Sequence, residues 1–235
     1  MIDSYKNKYF SVLGDSISTL DGYSRPDDSS YYEGMKRIET GVLLPEDTWW
    51  GQVIDRLGGK LLVNNSISGS LVSKHPECMF PSYGCSEERT SDLCEGEVMP
   101  DVIMVFLGTN DWGWGLEVED SYGEGKDLSI FSVAYDRMLD LLSAKYPSAE
   151  IWCFTLAVSI CTRKESFVFP YCFGKKHISL YCDAIRRCCE KHRCRLIDLY
   201  SYGTMHDTID GFHPVSDGMK RISDAVIFCL GEDDS

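Results

Sequence analysis

Apolar and polar positions along the 235-residue chain follow two periods, and the switches between them outline the secondary structure. The most apolar run, Val102-Ile103-Met104-Val105-Phe106-Leu107, has no alternation at all, as expected of a central parallel strand covered on both faces. Shorter runs at residues 8–13, 60–64, 150–156 and 195–199 predict four more strands. Between the strands the spacing becomes helical. Thr48 is a fitting N-cap for a helix over 49–57, which Gly58-Gly59 closes. Apolar residues at 131, 134, 135, 138, 141 and 142 trace one face of a helix over 129–146, stopped by Pro147. A second stripe at 178, 181, 182, 185, 188 and 189 marks another helix, and 219, 222, 226 and 229 mark a last one over 216–230. Residues 21–40, 73–97 and 159–174 carry Gly, charge, Cys or aromatics without a clean period and read as loops.

Five strands separated by helices predict a parallel sheet with helices on both faces, a three-layer α/β/α sandwich. No linker, repeat or low-complexity block divides the chain, so residues 1–235 are expected to form one domain, with 231–235 as a frayed tail. In an open parallel sheet, ligands bind at the carboxyl ends of the strands. Three predicted strands end there in small polar clusters: Gly14-Asp15-Ser16, Asn65-Ser66-Ile67-Ser68-Gly69 and Gly108-Thr109-Asn110-Asp111. A fourth cluster, Asp210-Gly211-Phe212-His213-Pro214, precedes the final helix. Together they supply a hydroxyl, an imidazole, a carboxylate, a glycine amide and a side-chain amide. Those are the parts for acyl transfer by a serine nucleophile.

Composition narrows the alternatives. With 23 Lys plus Arg against 37 Asp plus Glu, the formal charge of −14 leaves no basic surface to collect phosphates, so a nucleic-acid partner is not expected. No apolar stretch reaches the ~18 residues of a membrane helix. The first residues carry neither an apolar core nor a cleavage site, and a soluble, cytoplasmic protein is the expectation. Eleven cysteines invite a metal reading, above all Cys182, Cys188, Cys189 and Cys194 beside His192. They lack paired Cys-x-x-Cys spacing and spread over more than one helix face, so reduced thiols packed as small hydrophobes are expected, with no metal. Cys78, Cys85 and Cys94 share a loop-like stretch where pairing is open under oxidising conditions.

The four polar clusters resemble, in order and spacing, the four sequence blocks of the SGNH (GDSL-type) hydrolases. The resemblance runs from residue 8 to 230, and its specificity lies in about twenty positions. Gly-Asp-Ser alone or Asp-x-x-His alone is weak; the conjunction is specific. The resemblance implies a flavodoxin-like sandwich with Ser16 as nucleophile, His213 as base and Asp210 as its orienter. It also implies an oxyanion site built from the amides of Ser16 and Gly69 and the side chain of Asn110. Asp207 and Asp217 flank His213 too, but lack the Asp-x-x-His spacing. Asp15 and Asp111 read as anchors of their own turns.

Substrate is less legible. Trp112 and Trp114 follow Asn110 in a Gly-punctuated stretch and are candidates for stacking on a sugar ring or lining an acyl pocket. Of Trp49 and Trp50, one is expected in the core and one partly exposed. Residues 167–173 are a candidate lid, and Arg25, Arg37 and Arg163 are the loop cations available to an anionic substrate. The reading is a serine esterase for a small acyl ester, acetyl on a carbohydrate for preference, with no cofactor and a small molecule as its partner. The competing reading is a catalytically inactive sandwich that binds a small ligand or carbohydrate. Oligomeric state is not readable.

Overall fold

The computed structural model describes residues 2–25, 30–76, 83–119, 127–160, 169, 176–203 and 205–232. In chain order the strands are β1 (Tyr9–Gly14), β2 (Lys60–Ser66), β3 (Val102–Phe106), β4 (Glu150–Phe154), β5 (Val158–Ile160), β6 (Arg195–Ile197) and β7 (Met205–Asp207). The helices are α1 (Gly34–Thr40), α2 (Trp49–Arg56), α3 (Glu87–Ser91), α4 (Thr109–Trp114), α5 (Phe131–Lys145), α6 (Ser179–His192), α7 (Leu199–Tyr202) and α8 (Ser216–Glu232). Five strands form one parallel sheet in the order β2-β1-β3-β4-β6. Counted along that sheet alone, this is the 2-1-3-4-5 order of flavodoxin-like sandwiches.

The sheet separates two apolar layers. On β3, Ile103 and Val105 join α5 and α6 through Phe131, Met138, Leu142, Tyr181 and Ile185. Val102, Met104 and Phe106 point the other way, toward α2 and α8 through Trp49, Val53, Met219, Ile222 and Val226. The period-2 pleat explains why an unbroken apolar run was needed: both faces are covered. α2 starts where expected, with the Thr48 hydroxyl accepting the Gly51 N–H at 3.0 Å.

The structure departs from the expected pattern where elements are short. Residues 21–40 and 73–97 are not all loop, because they contain α1 and α3. α1 buries only Thr40 and leaves Met35 and Ile38 exposed, so it has no inward apolar stripe to read. α3 is a single capped turn. β5 and β7 pair as a separate two-stranded parallel sheet of three residues each, too short for a period. Residues 150–156 and 195–199 stop as strands at Phe154 and Ile197, and Leu199 opens α7. Trp49 and Trp50 are both buried, correcting the expectation that one is exposed. Most of the candidate lid, Arg163 and Cys78 lie outside the described residues. The eight described cysteines form no disulfide with one another; Cys153, Cys182, Cys188 and Cys189 pack in the layer under α5 and α6. No described helix is long and apolar enough to cross a membrane.

Candidate active site

β1 delivers the first cluster. Past Gly14, the Asp15 carboxylate accepts the Ile17 N–H at 3.0 Å and caps a short 3₁₀ turn, Ser16–Ser18. That turn is held from below through Ser18. Its carbonyl accepts from Trp50 Nε1 and Asn64 Nδ2, both at 2.9 Å, and its hydroxyl from Trp49 Nε1 at 3.1 Å. The buried tryptophans therefore serve the site as well as the core. Gly14 is required by close approach: a Cβ there would stand 2.7 Å from Ser18 Cβ and from Ser66 Oγ.

Ser16 Oγ lies 2.9 Å from His213 Nε2, and His213 Nδ1 lies 2.7 Å from Asp210 Oδ2. The other Asp210 oxygen accepts the backbone N–H groups of Phe212 at 3.0 Å and His213 at 2.9 Å, which explains the three-residue spacing. Burial pushes the Asp210 carboxyl up. The hydrogen bond and charge of His213, with the two amides, override that and hold it well below the usual carboxylate range. An ionised Asp210 accepts a hydrogen bond from Nδ1–H, which leaves Nε2 to accept from the Ser16 hydroxyl. The loop carrying both residues is tied to the rest by Ser159 Oγ on the Gly211 carbonyl at 2.7 Å.

Gly69 stands in the turn after β2 with φ of 76°, a left-handed conformation that favours glycine. Asn110, in the first turn of α4, donates Nδ2–H to the carbonyl of the next residue, Ser70, at 2.8 Å. One amide hydrogen remains, and Asn110 lines a cavity of about 460 Å³ with Ser16, Thr109, Gly113, Trp114, Phe212 and His213. Gly69 adjoins this arrangement but is not itself among the lining residues.

The two candidate tryptophans part company. Trp114 is 49% exposed at the cavity, with its ring 5.2 Å from that of His75. Trp112 is buried and donates Nε1–H to the Lys176 carbonyl at 3.0 Å. The stretch is helical, and residues two apart on a helix point to nearly opposite sides, so Trp112 is a core residue. Arg25 pairs with Glu95 at 2.8 Å and Arg37 with Asp21 at 3.8 Å; neither lines the cavity.

Three groups beneath and beside the site were not legible as such. Arg89 is buried and donates to Asn65 Oδ1 (2.8 Å), Ser70 Oγ (2.7 Å), the Asn65 carbonyl (2.8 Å) and the Gly14 carbonyl (3.1 Å), so one guanidinium joins the ends of β1 and β2 to the Gly69 turn. Its single turn, α3, sits in a stretch with no period and offers no signal. Asp111 does not anchor its own turn: it reaches across to Val72 N (2.9 Å), Ser73 N (3.0 Å) and Ser73 Oγ (2.6 Å). Burial pushes Asp15 up to about 7, with Asp111 adding to the rise and Arg89 opposing it, and pushes Asp111 up to about 6 against its three donors. Tyr31 lies flat against His213. Among the described residues no group of His, Cys, Asp and Glu is arranged to hold a metal ion, and His192 is instead 2.7 Å from Asp136.

A family model for GDSL-like lipases and acylhydrolases matches residues 8–165, a span that carries Ser16, Gly69 and Asn110 but stops short of Asp210 and His213. Two similar solved structures are proteins proposed to be GDSL-like lipases. One, from Bacteroides ovatus ATCC 8483, is 27% identical over 97% of this chain and 99% of its own, with a TM-score of 0.74. The other, from Bacteroides uniformis ATCC 8492, is 28% identical over 96% of each chain, with a TM-score of 0.71. Est24, a carbohydrate acetylesterase from Sinorhizobium meliloti, shares the fold at 14% identity, 97% and 99% coverage and a TM-score of 0.63. No curated protein sequence matches the chain. With two thirds of its length matched by the family model and its strand order and polar clusters in agreement, the chain belongs to the GDSL-like lipase/acylhydrolase family.

Proposed function

We propose that this protein is a serine esterase that removes a small acyl group, acetyl foremost, from a carbohydrate ester. The observation that carries the proposal is the unbroken line of hydrogen bonds from Ser16 Oγ through His213 to Asp210. A serine hydroxyl is a weak nucleophile until an imidazole takes its proton. As Ser16 Oγ bonds to the ester carbonyl carbon, its proton passes to His213 Nε2, and the ionised Asp210 stabilises the imidazolium. The carbonyl oxygen gains the charge and is received by the amides of Ser16 and Gly69 and the second Nδ2–H of Asn110. Collapse expels the alcohol, which takes the proton from Nε2 and leaves an acyl-Ser16. Water, deprotonated by the same nitrogen, then releases the acid and restores the hydroxyl. The side chains present suffice for every step, without metal or organic cofactor.

The substrate class rests on the cavity. Its volume of about 460 Å³ suits a small acyl group with part of a sugar, and Trp114 offers an accessible ring face at its edge. Est24 is a relative in fold whose name carries that activity. The test compares wild type and Ser16→Ala on p-nitrophenyl acetate and on acetylated sugars. Turnover is expected to vanish in the variant with its circular dichroism unchanged. Equal rates in both would remove Ser16 from the role.

A further inference from the structure

We infer that Tyr31 is a positioning residue for His213, a fourth member of the hydrogen-bonded line that holds the imidazole on one face and shares its carboxylate; this rests on the esterase reading above. The rings of Tyr31 and His213 are stacked, with centroids 3.4 Å apart and planes 5° from parallel. The Tyr31 hydroxyl donates to Asp210 Oδ2 at 3.2 Å, the same oxygen that faces His213 Nδ1. Its backbone is tied to the nucleophile: Tyr31 N–H donates to Thr19 Oγ1 at 2.9 Å, and that hydroxyl donates to the Ser16 carbonyl at 2.9 Å. The neighbouring Tyr32 is buried and donates its hydroxyl to the Pro214 carbonyl at 2.9 Å. Two consecutive tyrosines therefore hold two consecutive residues of the loop that carries the base.

Each contact has a chemical consequence. The ring closes one face of the imidazole, so His213 cannot swing away from Ser16 on that side. When His213 takes the serine proton, the ring's negative face stabilises the cation beneath it. The hydroxyl works the other way, because it draws charge from the carboxylate oxygen that serves the imidazolium. Burial, then the charge and hydrogen bond of Asp210, push the Tyr31 hydroxyl above its ordinary range, so it stays a donor wherever the enzyme works. The ionisable groups facing this pair are Asp210, Tyr32 and Glu39 of α1, with Asp15 acting on Tyr32; the Ser16 hydroxyl stands at His213 Nε2.

The two contributions oppose each other, so two variants separate them. Tyr31→Phe keeps the ring and loses the hydroxyl, whereas Tyr31→Leu keeps bulk and loses both. Each is compared with wild type for kcat and KM on p-nitrophenyl acetate across about pH 5–9. In Tyr31→Phe the acid limb of kcat/KM is expected to move to higher pH, since the freed carboxylate favours the imidazolium that must lose its proton before attack. In Tyr31→Leu it is expected to lie at lower pH than in Tyr31→Phe, since the ring that stabilises the imidazolium is gone as well, with kcat down about tenfold and KM within about twofold of wild type. A merely structural residue would scale the profile without displacing it, so superimposable limbs overturn the inference. Should Tyr31→Leu fail to fold, the direction taken by Tyr31→Phe decides alone. A wild type that neither hydrolyses the ester nor takes up phenylmethylsulfonyl fluoride on Ser16 would instead overturn the esterase reading itself.

Discussion

Asn110 uses the two hydrogens of one amide for two purposes. One fixes the Ser70 carbonyl and with it the turn that carries Gly69; the other remains on a residue that lines the cavity, where the proposed mechanism uses it. If Asn110 donates to the oxyanion as proposed, replacing it with Ala is expected to lower kcat on p-nitrophenyl acetate about a hundred- to a thousandfold. Asn110→Asp should fall as far, because a carboxylate accepts and cannot donate. A loss of less than tenfold in both variants would assign the oxyanion to other groups. At this scale legibility depends on where a residue's partners lie. Ser16, Asn110, Asp210 and His213 sit in short clusters whose residue types announce their chemistry. Tyr31 and Arg89 do not: Tyr31 meets Asp210 across 179 positions, and Arg89 meets Gly14 across 75. Neither neighbourhood contains anything that requires a tyrosine or an arginine until the chain is folded.

Secondary-structure elements were readable in proportion to the apolar surface they bury. β3 buries both faces and reads as an unbroken apolar run, whereas α5 and α6 each commit one face to the core and show it as a helical period. α1, α3, β5 and β7 are held by caps, pairing and single side chains, and such features leave no period. α4 matters most here, because the glycines in and after it hid the helix and made Trp112 a candidate for substrate contact, when the helical turn sends it into the core. The end of β1 carries a prediction of its own. Its last residue, Gly14, has no room for a methyl group between Ser18 and Ser66, both buried. Gly14→Ala should cost about 1–3 kcal/mol by overpacking, measured by urea unfolding, and should lower kcat as Ser18 shifts the turn that bears Ser16. Unchanged stability together with unchanged kcat would show that this strand end yields more easily than its contacts suggest.

At the scale of the whole molecule, two buried carboxyls predict how stability responds to acid. Asp15 and Asp111 both bind protons more tightly when folded than the ordinary carboxyl value of 3.8, at about 7 and about 6. Between those values and 3.8 the native state holds more protons than the unfolded chain, so stability falls as pH rises through that window and levels off above about 7. The effect is on the order of several kcal/mol for the pair together. Asp210 has the opposite sign: its contribution is present above the ordinary carboxyl range and is lost only in stronger acid. The net charge of −14 adds self-repulsion that also eases on acidification. Thermal melts between about pH 4.5 and about 8 should therefore show Tm declining toward neutrality, with a shallower slope in Asp15→Asn. A Tm that climbs steadily over that range would contradict this assignment.

Ser16 and His213 are separated by 197 positions, nearly the full length of the chain. On the proposed mechanism the nucleophile is therefore synthesised well before the base that activates it. The Ser16 hydroxyl meets the His213 imidazole only when the loop carrying His213 has packed against Tyr31. The onset of the proposed esterase turnover should accordingly coincide with completion of the fold.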